Sequence, residues 1–328
     1  YKGIKGFQVQ TREQDPSEGI PGDFYYNSST GQFKTIKTGV GSWSSGGSVN
    51  TARAYGGSSG TSRDAAMYFG GYTIPTNYAN TEQYNGTSWT EVADLSNSRT
   101  SIGGFGNSLT AAVAVGGDEF PASSPRYLAD VEEWGGSSWT SGTNIPTATQ
   151  MVMGAGTLTA GLAIGGSTSA QTNITTTLEY DGTNWTSGGA LNTGKDFGRI
   201  SCGVQTAALV AGAPGYSATT EQYNGSSWTE VADLNTAGSQ GGGGGTYTSA
   251  ITSGNVNGGP SANAESWDGT SWTEVGNRST DGYAVGGAGA SNANAIVFAG
   301  FDSAPPSFPT ASEEWNLPDF EIKTVTTS

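Results

Sequence analysis

An internal repeat of about forty-six residues constrains this chain more than any other feature, because that period is expected of units built from four short strands. An aromatic pair marks each copy. It reads Gln83-Tyr84-Asn85-Gly86-Thr87-Ser88-Trp89, and returns as Trp134 with Trp139, Tyr180 with Trp185, Tyr223 with Trp228 and Trp267 with Trp272. Trp43 lacks a first member and Trp315 a second, so these two orphans complete one another. Between the pairs runs a short apolar segment ending in small residues: Tyr68 to Gly71, Ala114 to Gly117, Ala163 to Gly166, Val210 to Ala213, Val256 to Gly259 and Phe298 to Gly300. That makes six units.

The apolar runs suit strands buried on both faces, and paired glycines allow a sharp turn where a Cβ would clash. The Asn-Gly or Asp-Gly step predicts a type I′ hairpin between the third and fourth strands of each unit, with both central residues at positive φ. The flanking aromatics, burying ~150–250 Å² each, are expected to pack between neighbouring units. This spacing predicts an all-β fold, a six-bladed β-propeller whose ends meet when the strand around Trp43 completes the last blade. Three segments result: an attachment segment over 1–40, the propeller over 41–316, and a C-terminal tail or closing strand over 317–328.

Composition agrees. The chain has 328 residues, 53 of them glycine, with 12% charged residues and no histidine. Helix formers are sparse, and no stretch carries helical apolar periodicity. A formal net charge of −15 repels phosphate backbones and anionic membranes, so neither nucleic acid nor a membrane is an expected partner. No apolar run approaches about 18 residues, which predicts a soluble chain. The sequence opens on Tyr1, leaving a leader or further domain open. Cys202 is the single cysteine, so no internal disulfide forms, and its place in Ile200 to Val204 marks it as a small buried hydrophobe.

The order of an apolar strand ending in Gly-Gly, an acidic-aromatic step and a tryptophan about five residues on resembles the kelch repeat, over residues 41–316. The kelch pattern usually carries a basic residue after the stretch that follows the tryptophan. Here that column reads Arg53, Arg99, Thr149, Lys195, Gly238 and Gly282, departing in half the units. The phrase Gly86 to Leu95, nearly repeated at Gly225 to Leu234, and the segment Pro21 to Lys34 are similar to repeat-containing, tail fibre-like virion proteins of marine tailed phages. This resemblance implies a virion surface location, contacts to other virion proteins through residues 1–40, and a host cell-surface glycan or protein as ligand. Tail fibres are often trimeric, which implies a homo-oligomer, although residues 1–40 show no heptad repeat.

Catalytic chemistry is thinly represented. Without histidine the usual hydrolase base and imidazole metal ligand are missing, and no cofactor or metal is expected. Asp181-Gly182-Thr183-Asn184-Trp185 lacks the spacing of a sialidase Asp-box. The doublets Asp118-Glu119, Glu132-Glu133 and Glu313-Glu314 point to opposite strand faces, which predicts one solvent-facing and one blade-facing acid instead of a converging catalytic pair. Calcium at Asp118 and Glu119 would lack a spaced ligand loop. The tract Gly241 to Gly245 has no P-loop Lys and reads as a flexible inter-strand loop.

Arg53, Arg99 and Lys195 are the candidate ligand-binding residues, because equivalent places in three units would line one end of a central channel and grip an anionic glycan. The competing expectation is that they brace neighbouring blades through carbonyls. Thr73 to Asn80, Asp118 to Arg126 and Phe301 to Pro309 are the most individual stretches and the expected recognition loops. A virion surface binding module is the leading expectation. A capsid decoration or tail-assembly protein without ligand is the second, and a glycan-cleaving enzyme the third.

Overall fold

The computed structural model describes residues 9–119, 127–169, 172–213, 215, 217–303, 306–318 and 320–326. They form an all-β structure, with no helix among the described residues. The chain divides into two compact units, one of residues 1–42 with 317–328 and the other of residues 43–316.

In the first unit, Gln10–Arg12 runs parallel to Phe24–Asn27, which pairs antiparallel with Gln32–Thr38. The C-terminal strand Phe320–Thr324 completes this sheet against Gln32–Thr38. Tyr25 and Ile36 are buried, and the Asp15 carboxylate accepts hydrogen bonds from Tyr25 Oη, Asn27 Nδ2 and Lys34 Nζ. The Lys34 ammonium foremost holds that carboxyl below its usual range.

The second unit contains six four-stranded antiparallel sheets, here A to F. Sheet A consists of Gly57–Ser62, Ala65–Phe69, Thr81–Tyr84 and Trp89–Val92. Sheet B follows with Gly103–Ser108, Ala111–Val115, Val131–Trp134 and Trp139–Ser141. Sheet C has Met153–Thr157, Ala160–Ile164, Thr177–Tyr180 and Trp185–Ser187. Sheet D has Ile200–Val204, Ala207–Ala213, Ser217–Tyr223 and Trp228–Val231. Sheet E has Gly242–Thr246, Ser249–Val256, Pro260–Trp267 and Trp272–Val275. In sheet F, Gly286–Ser291, Asn294–Phe298 and Ser312–Asn316 take Ser42–Ser45 as fourth strand, so the orphan aromatics Trp43 and Trp315 do meet, with ring centroids 5.3 Å apart.

Second strands form the core, with Met67, Val113, Leu162, Leu209, Ile251 and Ile296 fully buried. Each fourth-strand tryptophan ties its sheet to the one before. The indole Nε1 of Trp139 donates to Thr81 Oγ1, Trp228 to Thr177 Oγ1, Trp272 to Thr220 Oγ1 and Trp89 to Ser312 Oγ. Trp185 reaches the Thr143 carbonyl and Trp43 the Gly276 carbonyl. Packing between sheets thus satisfies the one polar atom of a large buried ring, as burial requires.

First strands lie side by side through the series A to F, and that of sheet F packs beside that of sheet A. Just ahead of each first strand, one residue with φ between 37° and 60° links to the next: Tyr55, Ser101, Met151, Phe197, Gln240 and Ala284. Ser101 N donates to Tyr55 O, Met151 to Ser101, Phe197 to Met151, Gln240 to Phe197 and Ala284 to Gln240. Tyr55 N then donates to Ala284 O, so the six amide bonds return on themselves.

Three expectations are corrected. The glycine tract is no loop: Gly242–Thr246 is the first strand of sheet E, where a Cβ on Gly244 would lie 2.2 Å from Gly289 N. Gly244→Val is expected to destabilise by about 3 kcal/mol or more, read from the denaturation midpoint, because backbone and not a mobile side chain blocks the new atoms. The Asn-Gly turns are four-residue loops between paired Tyr84 and Trp89, with only Gly86 at positive φ (89°). Asn85 caps the loop instead, its Oδ1 accepting Thr87 N and Ser88 N at 3.0 Å. In sheet E the left-handed glycine equivalent to Gly70 is Gly254, so the strand runs on to Val256 before Gly258 and Gly259.

Candidate functional site

Arg53, Arg99 and Lys195 are fully buried, at 0%, 1% and 0% exposure. Each meets a third-strand glutamate of its own sheet: Arg53 with Glu82, Arg99 with Glu132 at 2.9 Å and Lys195 with Glu221 at 3.7 Å. Most of their remaining donors go to main-chain oxygens, while Lys195 also donates to Thr219 Oγ1 and Arg99 Nε has no partner among the described residues. Arg53 bonds Gly70 O and Tyr68 O and lies 4.3 Å from the Tyr68 ring centroid. Arg99 bonds Gly116 O and Asp130 O, and Lys195 bonds Thr219 O. Burial pulls Arg99 and Lys195 below their usual pKa values, opposed by Glu132 and Glu221. None of the three is among the described residues lining the cavity between the first strands, whereas Arg199 is.

Two cations escaped the sequence reading because they stand outside the aligned column. Where sheet E has Gly238, Arg199 reaches Glu265 at 2.9 Å. Where sheet F has Gly282, buried Arg278 lies in the field of Glu313 and burial lowers its pKa to about 10. The signal was available: Glu265 and Glu313 occupy the place of Glu82 with no basic residue in their own column. Each of the five glutamates also accepts a main-chain N–H from the preceding linker: from Asn50, Ser96, Asn192, Asn235 and Ser279. Sheet C breaks the pattern at all three positions. Thr149 replaces the cation, Leu178 the glutamate, and Pro146, which has no N–H, the donor.

The acid doublets differ from expectation as well. Glu132 and Glu313 are buried in the contacts above, while Glu133 accepts from Tyr180 Oη and Glu314 from Tyr84 Oη of the adjoining sheet. Glu179 receives Tyr223 Oη at 2.6 Å in the same way. The second acid of the doublet therefore faces a neighbouring tyrosine and not only solvent. Cys202 is buried and its thiol is pushed up to about 12 by burial. Among the described residues no three acids or thiols gather as a metal-holding group.

The individual loops lie at one end of the sheets. Backbone bridges join five of the six linkers to the region between second and third strands: Ala54 with Tyr72, Thr100 with Asp118, Gln150 with Ser167, Ser239 with Val256 and Tyr283 with Phe301. Thr73 to Asn80 contains the hairpin Tyr72–Thr73 with Thr76–Asn77, and Phe301 to Pro309 the hairpin Asp302–Ser303 with Pro306–Ser307. Of the Asp118 to Arg126 segment, residues 120–126 lie outside the described residues.

Here six part-exposed aromatic side chains connect into one array. Phe197 meets Tyr55 at 5.5 Å, and Tyr55 hydrogen-bonds Tyr283. Tyr283 meets Phe301 at 5.2 Å, Phe301 meets Phe308 at 5.2 Å, and Phe308 meets Tyr72 at 6.5 Å. The array thus runs from the cycle of amide bonds to the loops of sheets A and F. Beside Phe197, Asp196 is 5% exposed and its Oδ1 has no hydrogen-bond partner among the described residues.

Burial lifts the Asp196 carboxyl from 3.8 to about 6. The folded chain therefore keeps a proton that the unfolded chain releases near 3.8, and this contribution to stability, complete below that value, is lost as pH rises through about 6. Asp196→Asn is expected to raise the melting temperature at neutral pH and to leave it nearly unchanged at about pH 4, in paired thermal melts.

Neither a protein-family model nor a curated protein matches the chain.

Proposed function

We propose that residues 43–316 form a six-bladed propeller of kelch-like repeats that binds a host-surface glycan through its aromatic array, as part of a virion surface protein. The observation that carries the binding reading is the array itself: six joined aromatic side chains, part-exposed, three from the linkers ahead of the first strands and three from the loops of sheets A and F. A pyranose ring offers one face of C–H groups and an edge of hydroxyls. Flat, partly exposed rings match the first, and the hydroxyls of the array's tyrosines match the second. The amide cycle and the packing of the last first strand on the first one support the propeller reading.

The buried cations brace the sheets, which leaves ligand contact to the loops. No catalytic step is assigned, since the doublets divide between cation-facing and tyrosine-facing positions. The terminal unit serves as the attachment piece: Phe24 and Phe33, 43% and 46% exposed, stack at 5.4 Å on its sheet and offer an apolar spot to another virion protein. The test is a glycan array probed with the full chain. Saturable binding to a defined glycan, lost on removal of the array's rings, supports the reading. A chain that binds no glycan, and that cryo-electron microscopy of the native assembly finds enclosed on all sides, leaves a structural role.

A further inference from the structure

We infer that sheet C carries a second binding site, a pocket for a small neutral molecule with an apolar ring and a hydroxyl group. Its origin is the threefold exception already described. In the other five sheets a glutamate, a main-chain N–H and, from one of three places, a cation stand between linker and third strand. With Pro146, Thr149 and Leu178 in their stead, a cavity of about 370 Å³ opens there. That is within the size range of small-molecule pockets.

All three changes remove polarity together. A glutamate left without its cation would be a buried unpaired charge, and sheet C has none; of the two linker N–H groups such a glutamate takes elsewhere, Pro146 removes the first, and the second belongs to exposed Thr147 at the rim. The cavity floor is formed by Ile145, Val152 and Ala163 with part-buried Leu178 and buried Thr149, whose hydroxyl donates to Thr147 O, and none of its described lining residues is charged. Apolar cavities of this kind hold water poorly and take up small apolar molecules. At the mouth stand Thr147 and Thr176, both exposed, whose hydroxyls select a ligand with one polar end. A carboxylate or ammonium would meet no counter-charge, which excludes ionic ligands.

The probe is p-cresol, titrated into the isotope-labelled full chain and followed by NMR. The amides of Val152, Ala163 and Leu178 are expected to shift saturably, with a Kd of about 1 mM for a ligand of this size. Benzoate, of similar shape but anionic, is expected to bind roughly tenfold more weakly or less. Thr147→Trp and Thr176→Trp, each at an exposed position that tolerates bulk without disturbing the core, are expected to weaken p-cresol roughly tenfold by closing the mouth. Absence of saturable shifts, equal affinity for benzoate, or p-cresol binding unchanged in both folded rim variants overturns the proposal and leaves the three residues as packing substitutes for the ion pair.

Discussion

Glu265→Leu is expected to destabilise the protein by about 3–5 kcal/mol, the largest loss of any single substitution considered, because it strands the buried Arg199 guanidinium without a counter-charge. It also removes the acceptor of Asn235 N and Thr236 N, 2.7 and 3.0 Å away. Arg199→Met added to Glu265→Leu is expected to recover a large part of that loss, since replacing both members of a buried pair by apolar groups is far less costly than removing one. Sheet C lacks both the glutamate and the cation in the native chain, and there Pro146 removes one of the two main-chain donors. Urea unfolding of the two single variants and the double variant measures the coupling. Additive losses would mean that Arg199 draws its stability from Asn263 O and Thr236 O instead of from the glutamate.

The second large effect concerns the array. Phe308→Ala and Tyr72→Ala are each expected to weaken glycan binding by roughly thirtyfold, the scale of an interface hot spot, while leaving the melting temperature within a few degrees of the parent. Both residues come from loops outside the four-stranded sheets, so their loss removes contact area without opening the core. The readout is calorimetry with the glycan chosen by the array. Arg53→Met is expected to behave in the opposite way, lowering stability through stranded Glu82 and leaving the affinity of the surviving folded protein unaltered. Affinity that follows Arg53 and ignores Phe308 would return the ligand to the cation column.

Much of the architecture was legible because the repeat writes it six times. The aromatic pairs and apolar runs marked third, fourth and second strands, and the orphans Trp43 and Trp315 foretold that the two ends of residues 43–316 share one sheet. First strands were hardest to read. Their glycines are selected by backbone approaching backbone, as at Gly244, and carry no hydrophobic alternation to distinguish a strand from a loop. The turn type was misjudged because Asn-Gly was read as a two-residue turn, whereas Asn85 acts through its side chain over a wider loop.

At the site, the basic column located Arg53, Arg99 and Lys195 but not their roles, which depend on glutamates 26 to 33 residues away. Arg199 pairs across 66 residues into the next sheet, a relation no aligned column displays. The aromatic array was invisible for a similar reason. Tyr72 and Phe308 lie near opposite ends of the repeat series and meet only because sheets A and F adjoin.

The amide cycle through Tyr55, Ser101, Met151, Phe197, Gln240 and Ala284 has an evolutionary consequence. Its six bonds are made by main-chain atoms alone, and its positions hold six different side chains. Selection for architecture therefore places little restriction on what these residues display, provided each tolerates a left-handed φ. A lineage under pressure to change its target can rewrite the centre of the loop face one residue at a time, while the hoop of peptide groups beneath it stays the same.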